Sequence, residues 1–557
     1  MRRSPGYVRS QSRRGFGAAM LSEPHDHREN GMQVQAGYLT RLAAAWYGPK
    51  VAMTSLSGGT GSQTFAELNE AANRIGSGVL AMGARRGDRV GVLGYNTPEV
   101  MQAWLGFEKH NLVRAVLHSH FDMDDHVWSL NHITASTLLF DTRFAEQVAR
   151  HRGGLETVRH FVAIGPDAPD WATPYRQVVA AGSAEEPELE VDEDAPCFLQ
   201  LTSGTTGHPK AWVKTYRSWQ AVINHNMHHL DTFGPDTPAV GPDDVNLHFH
   251  ALQWATGFQT MYPYLIRGAR SVLLDDARFD PDLVLDTILR ERVTGTFAPG
   301  PLLGPILDAV ERRDGFDHSL RRVVVFFGTP ELLERTTKLL GPVWAHGFGS
   351  TEQGASTTRL LPHEVADKPQ RLHSVGRPGS PFLELSIKDP QGRTLPPGQV
   401  GEIAVRSAMS LGEYWDMPDK TLEASFPGDW YRPFDVGYLD EDGFLYYADR
   451  AGDTIHTSAG VVYPHLVEAA LFRHEAVANC GVVGLGEPGA QRVVAAVQLK
   501  PGWQPTPELA TTILATTCDD LAERERPVRL AFRSELPTVL GGAKVQRQAL
   551  RERLETS

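Results

Sequence analysis

The segment Leu201-Thr202-Ser203-Gly204-Thr205-Thr206-Gly207-His208-Pro209-Lys210 gathers hydroxyls, glycines and one lysine into a short run. Such a run is suited to holding an anion. Glycine lets backbone amides approach phosphate oxygens, Ser and Thr add donors, and lysine adds charge. It is not a Walker loop, whose lysine is followed by Ser or Thr, because Ala211 follows Lys210. Lysine is also scarce: the chain holds 10 lysines among its 54 basic residues. A lysine at the end of a phosphate-type loop, Lys210, therefore stands out, and so does Lys544 near the C-terminus.

This string resembles the phosphate-binding signature of the adenylate-forming enzymes, which include acyl- and aryl-CoA synthetases, luciferases and peptide-synthetase adenylation domains. The resemblance covers about Ala36 to Arg553, with further motifs in the family's order. Gly347-Phe348-Gly349-Ser350-Thr351-Glu352 matches the segment whose aromatic stacks on adenine and whose glutamate carries Mg²⁺, a role suited to an oxygen ligand. Gly328-Thr329-Pro330, after the apolar run ending at Phe327, resembles the loop that borders the adenine. Trp430-Tyr431-Arg432-Pro433-Phe434-Asp435 matches a Trp-x-Arg-Thr-Gly-Asp pattern, which makes Asp435 the ribose ligand and Arg450 the nucleotide-contacting arginine at the domain junction. Pro433-Phe434 replaces Thr-Gly, and an altered local backbone is expected there. Lys544, in a Pro…Gly-Lys…Arg-like segment, takes the place of the catalytic lysine.

The resemblance implies that a carboxylate and ATP give an acyl-adenylate and pyrophosphate, with transfer to CoA or a carrier-protein thiol to follow. Lys210, His250, Glu352 and Lys544 are the expected catalytic set. Thr202, Ser203, Gly204, Thr205, Thr206, Gly207, Gly328, Thr329, Pro330, Gly347, Phe348, Gly349, Thr351, Asp435 and Arg450 are expected around the nucleotide. His250, Trp254, Phe258 and Gly349 are the candidate pocket residues, although Trp254 and Phe258 read equally well as core aromatics. One loop departs from the pattern. The usual Ile-Lys-x-Gly-Gly-Glu is here Ile455-His456-Thr457-Ser458-Ala459-Gly460, which implies a weakened thioester step, another acceptor or a partner enzyme. A luciferase-like oxidoreductase and a nucleotide-binding pseudoenzyme are the alternatives.

These residues need rigid elements to hold them. From Gln63 onward helical and β-branched stretches alternate, the pattern of an α/β fold with a largely parallel sheet. Thr64 with Glu67 predicts a capped helix start. A Gly/Pro-rich strand-like part from Ser374 to Ser407 predicts a small β unit, and Asp442-Gly443 a hairpin turn. The expected organisation is a flexible N-terminal arm over 1–35, a large multi-layer AMP-binding region over 36–451, and a mobile C-terminal α+β lid over 452–557. Ser183–Pro196 reads as an acidic linker. His225, His228 and His229, at helical spacing, read as solvated or core histidines rather than a zinc site.

Composition bounds the rest. The chain has 557 residues, net charge -13, 41% hydrophobic and 22% charged residues. That balance excludes a dominant basic nucleic-acid footprint and a polybasic membrane anchor. No apolar run is long enough to span a membrane. Three scattered cysteines argue against a disulfide scaffold and fit a cytoplasmic location. Oligomeric state is not legible, and a dimer stays open.

Overall fold

The structure is a computed structural model that describes residues 32–56, 61–202, 208–354, 356–516, 521–539 and 544–555. Local signals build its helices as expected. The Thr64 hydroxyl accepts from the Glu67 amide at 3.2 Å, and the Glu67 carboxylate accepts from the Thr64 amide at 2.8 Å. This reciprocal cap starts the helix Phe65–Ala81, which buries Leu68, Ala72, Ile75 and Val79. It packs on the helix Pro98–Lys109 so closely that a Cβ on Gly106 would lie 2.3 Å from the Ala72 carbonyl oxygen. Gly106→Ala would force the two helices apart.

Two seven-stranded sheets form the body. The first runs in the order Lys210–Thr215, Pro196–Thr202, Val113–Leu117, Arg89–Leu93, Thr137–Asp141, His160–Ile164, Thr173–Pro174. It is parallel except at its first pair. The second runs Trp344–His346, Arg322–Val325, Gly295–Phe297, Val245–His248, Arg270–Leu273, Val51–Ser55, Gly61–Thr64, and is parallel except at its last pair. An apolar core that includes Met53, Val92, Trp104, Tyr262 and Leu273 joins the two. In parallel sheets, ligands bind outside the carboxyl ends of the strands. The motifs sit there: Thr202 ends one strand, His250 follows Val245–His248, Gly328 follows Arg322–Val325, and Gly347 follows Trp344–His346.

The expected small β unit is a six-stranded antiparallel sheet. Within it Asp435–Leu439 pairs with Leu445–Arg450 across Asp442-Gly443, where Gly443 has φ +80°. A smaller C-terminal unit has the three-stranded sheet Val477–Leu485, Arg492–Leu499, Arg529–Phe532 and its own core around Val467, Val482, Ala495 and Val497. Among the described residues no helix is long and apolar enough to cross a membrane.

Two expectations change. The segment Ser183–Pro196 is no free linker, because its Glu190–Asp192 forms a strand antiparallel to Gln33–Gln35. The end of the expected arm is therefore structured too: Val34 pairs with Val191 and packs on the main core. Residues 1–31 lie outside the described residues.

Candidate active site

The strand Lys210–Thr215 alternates its side chains, so Lys210, Trp212 and Lys214 share one face. Tyr414 lies edge-on to Trp212, with ring centroids 5.0 Å apart. The Lys210 ammonium sits 4.6 Å from the centroid of the Tyr414 ring. The Tyr414 hydroxyl donates to Glu352 Oε1 at 2.6 Å, and the Ser350 hydroxyl donates to the Tyr431 hydroxyl at 3.5 Å. Burial pulls the Lys210 pKa below its ordinary value, and the charge of Glu352 opposes the shift. Burial and then Glu352 push the Tyr414 phenol up, so it stays a donor.

Lys214 is fully buried. It donates to the backbone carbonyls of Glu352 and Met409, each at 2.5 Å, and burial brings its pKa down to about 7. It thus ties the strand that carries Lys210 to the loop that carries Glu352. That loop leaves the sheet at Gly347, where a Cβ would lie 2.3 Å from the Thr358 carbonyl oxygen, so only glycine fits. The Phe348 amide donates to Thr358 Oγ1 at 3.0 Å. Gly349 and Thr351 are half-buried on the way to Glu352.

Phe348 packs 6.0 Å from the Tyr447 ring. The Tyr447 hydroxyl donates to Asp435 Oδ1 at 3.4 Å, and Arg450 Nε lies 3.1 Å from the same oxygen. Asp435, first of all, holds the Arg450 pKa above its ordinary value. Asp435 and Arg450 are cross-strand partners, which the sequence separation concealed. The expectation of an altered backbone at Pro433-Phe434 changes form. Phe434 has φ +61°, the left-handed region a glycine would occupy without strain. Its ring is held by the Arg432 guanidinium, 4.8 Å from the centroid.

Gly328 donates its amide to His346 Nε2 at 3.3 Å. Thr329 caps the helix Pro330–Leu340 by accepting from the Leu332 amide, with Pro330 at its first turn. Thr202 pairs with Lys210 across the mouth of the phosphate-type loop. Ser203, Gly204, Thr205, Thr206 and Gly207 lie outside the described residues.

His250 is half-buried, and burial lowers its pKa to about 4. Asn96 fixes this turn: its side chain donates to the His250 carbonyl at 3.0 Å and accepts from the Leu252 amide at 2.8 Å. Trp254 immediately precedes the helix Ala255–Ile266. Three imidazoles surround it: His118, His120 and His250 lie 5.1, 5.1 and 5.7 Å from its ring. Phe258 is in that helix, but its side chain lies outside the described residues.

Lys544 begins a short strand paired with Thr538–Val539, and its side chain lies outside the described residues. Three residues on, Arg547 reaches Asp449 and Asp453 at 3.3 Å and Glu468 at 2.8 Å. His225 and His229 are buried, and His225 bonds Ser380 and the Ser356 carbonyl. Among the described residues no cluster of His, Cys, Asp and Glu is arranged to hold a metal ion. Lys214, Tyr414, Tyr431, Tyr447 and Asn96 escaped sequence reasoning. Only Lys214 left a signal, its even spacing from Lys210 along a strand.

The family model described as AMP-binding enzyme matches residues 41–415, and that described as AMP-binding enzyme C-terminal domain matches 466–540. A long-chain-fatty-acid–CoA ligase of Thermus thermophilus is 29% identical over 92% of this chain and 94% of its own. A feruloyl-CoA synthase of an Amycolatopsis species is 30% identical over 89% and 94%. Among solved structures, an amide bond synthetase, McbA, of Marinactinospora thermotolerans superposes with a TM-score of 0.79 at 28% identity, over 93% of this chain and 99% of that one. The oxidoreductase and pseudoenzyme alternatives draw no support from these relatives. With motifs, fold and both family models in agreement, the chain belongs to the AMP-binding enzymes, the adenylate-forming acid ligases.

Proposed function

We propose that this chain activates a carboxylic acid with ATP at the carboxyl ends of its two sheets, and that its strand-end residues divide the work. The observation that carries this reading is the continuous link from Lys210 through Tyr414 to Glu352. It joins one cation and one carboxylate, the pair that a metal-bound triphosphate meeting an acid requires. The acid's carboxylate oxygen attacks the α-phosphorus, and pyrophosphate leaves. Such a step needs positioning and fixed positive charge more than covalent help. Lys210 and the Thr202–Lys210 loop hold the leaving phosphates. Asp435 and Arg450 take the ribose, Phe348 and Gly328 to Pro330 border the adenine, and His250 and Trp254 flank the acid. Lys544 comes from the C-terminal unit, residues 452–557, acting as a lid on the body, residues 36–451.

Glu352 fits a Mg²⁺ ligand. The residue is 8% exposed, its carboxylate is oriented by the Tyr414 hydroxyl, and no side-chain cation pairs with it among the described residues. A hard cation is the partner such a group favours, and when bound it would supply charge neutralisation of the phosphates.

The acyl-adenylate then passes to CoA or another acceptor. A second reading of that step is favoured by one loop. Thr457-Ser458-Ala459-Gly460 lacks the usual glycine pair and acid, and Ala459 is exposed on it. Similarity to an amide bond synthetase supports an acceptor other than a thiol. Pure protein with acid and ATP, offered CoA or a primary amine, separates the two. Acyl-CoA formed as fast as pyrophosphate supports the thiol. Pyrophosphate release with amide and little acyl-CoA supports the amine.

A further inference from the structure

We propose that Asp449 and Arg547 are positioning residues: together they seat the C-terminal unit, and Lys544 with it, on the body. This seating rests on the reading of residues 452–557 as a lid.

Asp449 belongs to the body. Its strand, Leu445–Arg450, pairs with Asp435–Leu439 in the six-stranded sheet. The short turn Ala451–Asp453 then leads into the C-terminal unit. Arg547 opens the last helix, Arg547–Glu555, just after the strand Lys544–Val545. Its Nη1 lies 3.3 Å from Asp449 Oδ1 and 3.3 Å from Asp453 Oδ2, and its Nη2 donates to Glu468 Oε2 at 2.8 Å. Glu468 in turn accepts from the Val482 amide at 2.8 Å, which fixes it to the lid's own sheet. One guanidinium thus bridges body, turn and lid.

Asp449 has a second lid partner. Its Oδ2 accepts from the His465 amide at 2.6 Å, in the first turn of the helix Pro464–Leu471, where a carboxylate is favoured by the helix dipole. The His465 ring packs edge-on 5.6 Å from Tyr447, whose hydroxyl donates to Asp435. The joint therefore adjoins the residues assigned to the ribose. Asp449 is 1% exposed, and burial raises its pKa to about 7 against the opposing charge of Arg547. These contacts divide at the turn. A swing of the lid about Ala451–Asp453 carries Arg547, Glu468 and His465 together and leaves Asp449 on its strand. Arg547 then keeps Glu468 and loses Asp449, and Asp449 loses both lid partners. Contacts that only one of two positions can make bias the equilibrium toward that position.

The test is the spacing of lid and body in the free full-length chain, read by pulsed electron spin resonance between labels on Glu146→Cys and Glu508→Cys, both exposed sites. Cys197 and Cys480 are buried, and Cys518→Ser removes the third thiol. The labelled parent is expected to show one dominant distance, that of the described seat. Asp449→Asn and Arg547→Gln are expected to shift the population ratio about tenfold toward a second distance. Arg547→Lys, which keeps the charge, is expected to shift it less. A different dominant distance in the parent overturns the proposal, as does an unchanged ratio in both Asp449→Asn and Arg547→Gln. Arg547→Lys displaced as far as Arg547→Gln, or broadening with no second distance, also overturns it. No substrate is present, so failure here is distinct from failure of acid activation.

Discussion

Tyr414 makes two contacts that separate cleanly by substitution. Its hydroxyl orients Glu352, and its ring carries the Lys210 ammonium. Tyr414→Phe removes the first and keeps the second. A hydrogen bond to a charged group is worth about 1.5–3 kcal/mol, or roughly 10- to 150-fold. With the Tyr414 ring and its packing retained, the loss should fall at the low end, near tenfold. Tyr414→Leu also removes the cation–π contact, worth about 0.5–2 kcal/mol depending on desolvation. The assay is pyrophosphate release at saturating acid with Mg²⁺ varied at fixed ATP. The expected result is an apparent Mg²⁺ requirement about tenfold higher in Tyr414→Phe, with KM for the acid unchanged. Tyr414→Leu should lose a further severalfold. A folded Tyr414→Phe within about twofold of wild type, or a Tyr414→Leu no worse than it, would refute the reasoning.

Other outcomes follow from the same contacts. His118, His126, His225, His248, His250 and His346 all have pKa values lowered to about 3–4 by burial. The unfolded chain therefore binds more protons below about pH 6.5, and each group removes about 1.4 kcal/mol per pH unit as pH falls toward 4. A steep loss of thermal midpoint between about pH 6.5 and 4 is expected, and a flat profile there would contradict it. At Phe434, with φ +61°, Phe434→Gly should exceed Phe434→Ala in stability by about 1 kcal/mol, as measured by denaturant titration. Lys214→Met leaves the Glu352 and Met409 carbonyls without this donor, at a cost of about 1–3 kcal/mol each. A lower thermal midpoint and a raised KM for ATP are expected, and neither should move if the lysine is inert.

The parts of this site that the sequence made legible are those packed into short runs. The phosphate-type loop, the Phe348–Glu352 segment and the Thr64 cap each depend on neighbours along the chain. The parts it concealed come from the tertiary fold. Tyr414 meets Glu352 from 62 residues away, and Asn96 holds the His250 turn across 154. No local pattern marks such a pair. The Ser183–Pro196 segment misled because its acidic composition hides a three-residue strand whose partner, Gln33–Gln35, is remote. Phe434 misled in another way. The motif marked an altered residue there, but not that Phe434 takes a left-handed φ of +61°, where a side chain bears strain.

The most direct measurement of the central claim is acid-dependent exchange of labelled pyrophosphate into ATP, in the absence of CoA, for wild type and Lys544→Ala. The account predicts exchange with at least one carboxylic acid in wild type and its near loss in the variant. No exchange with any acid, or an equal rate in Lys544→Ala, would contradict it.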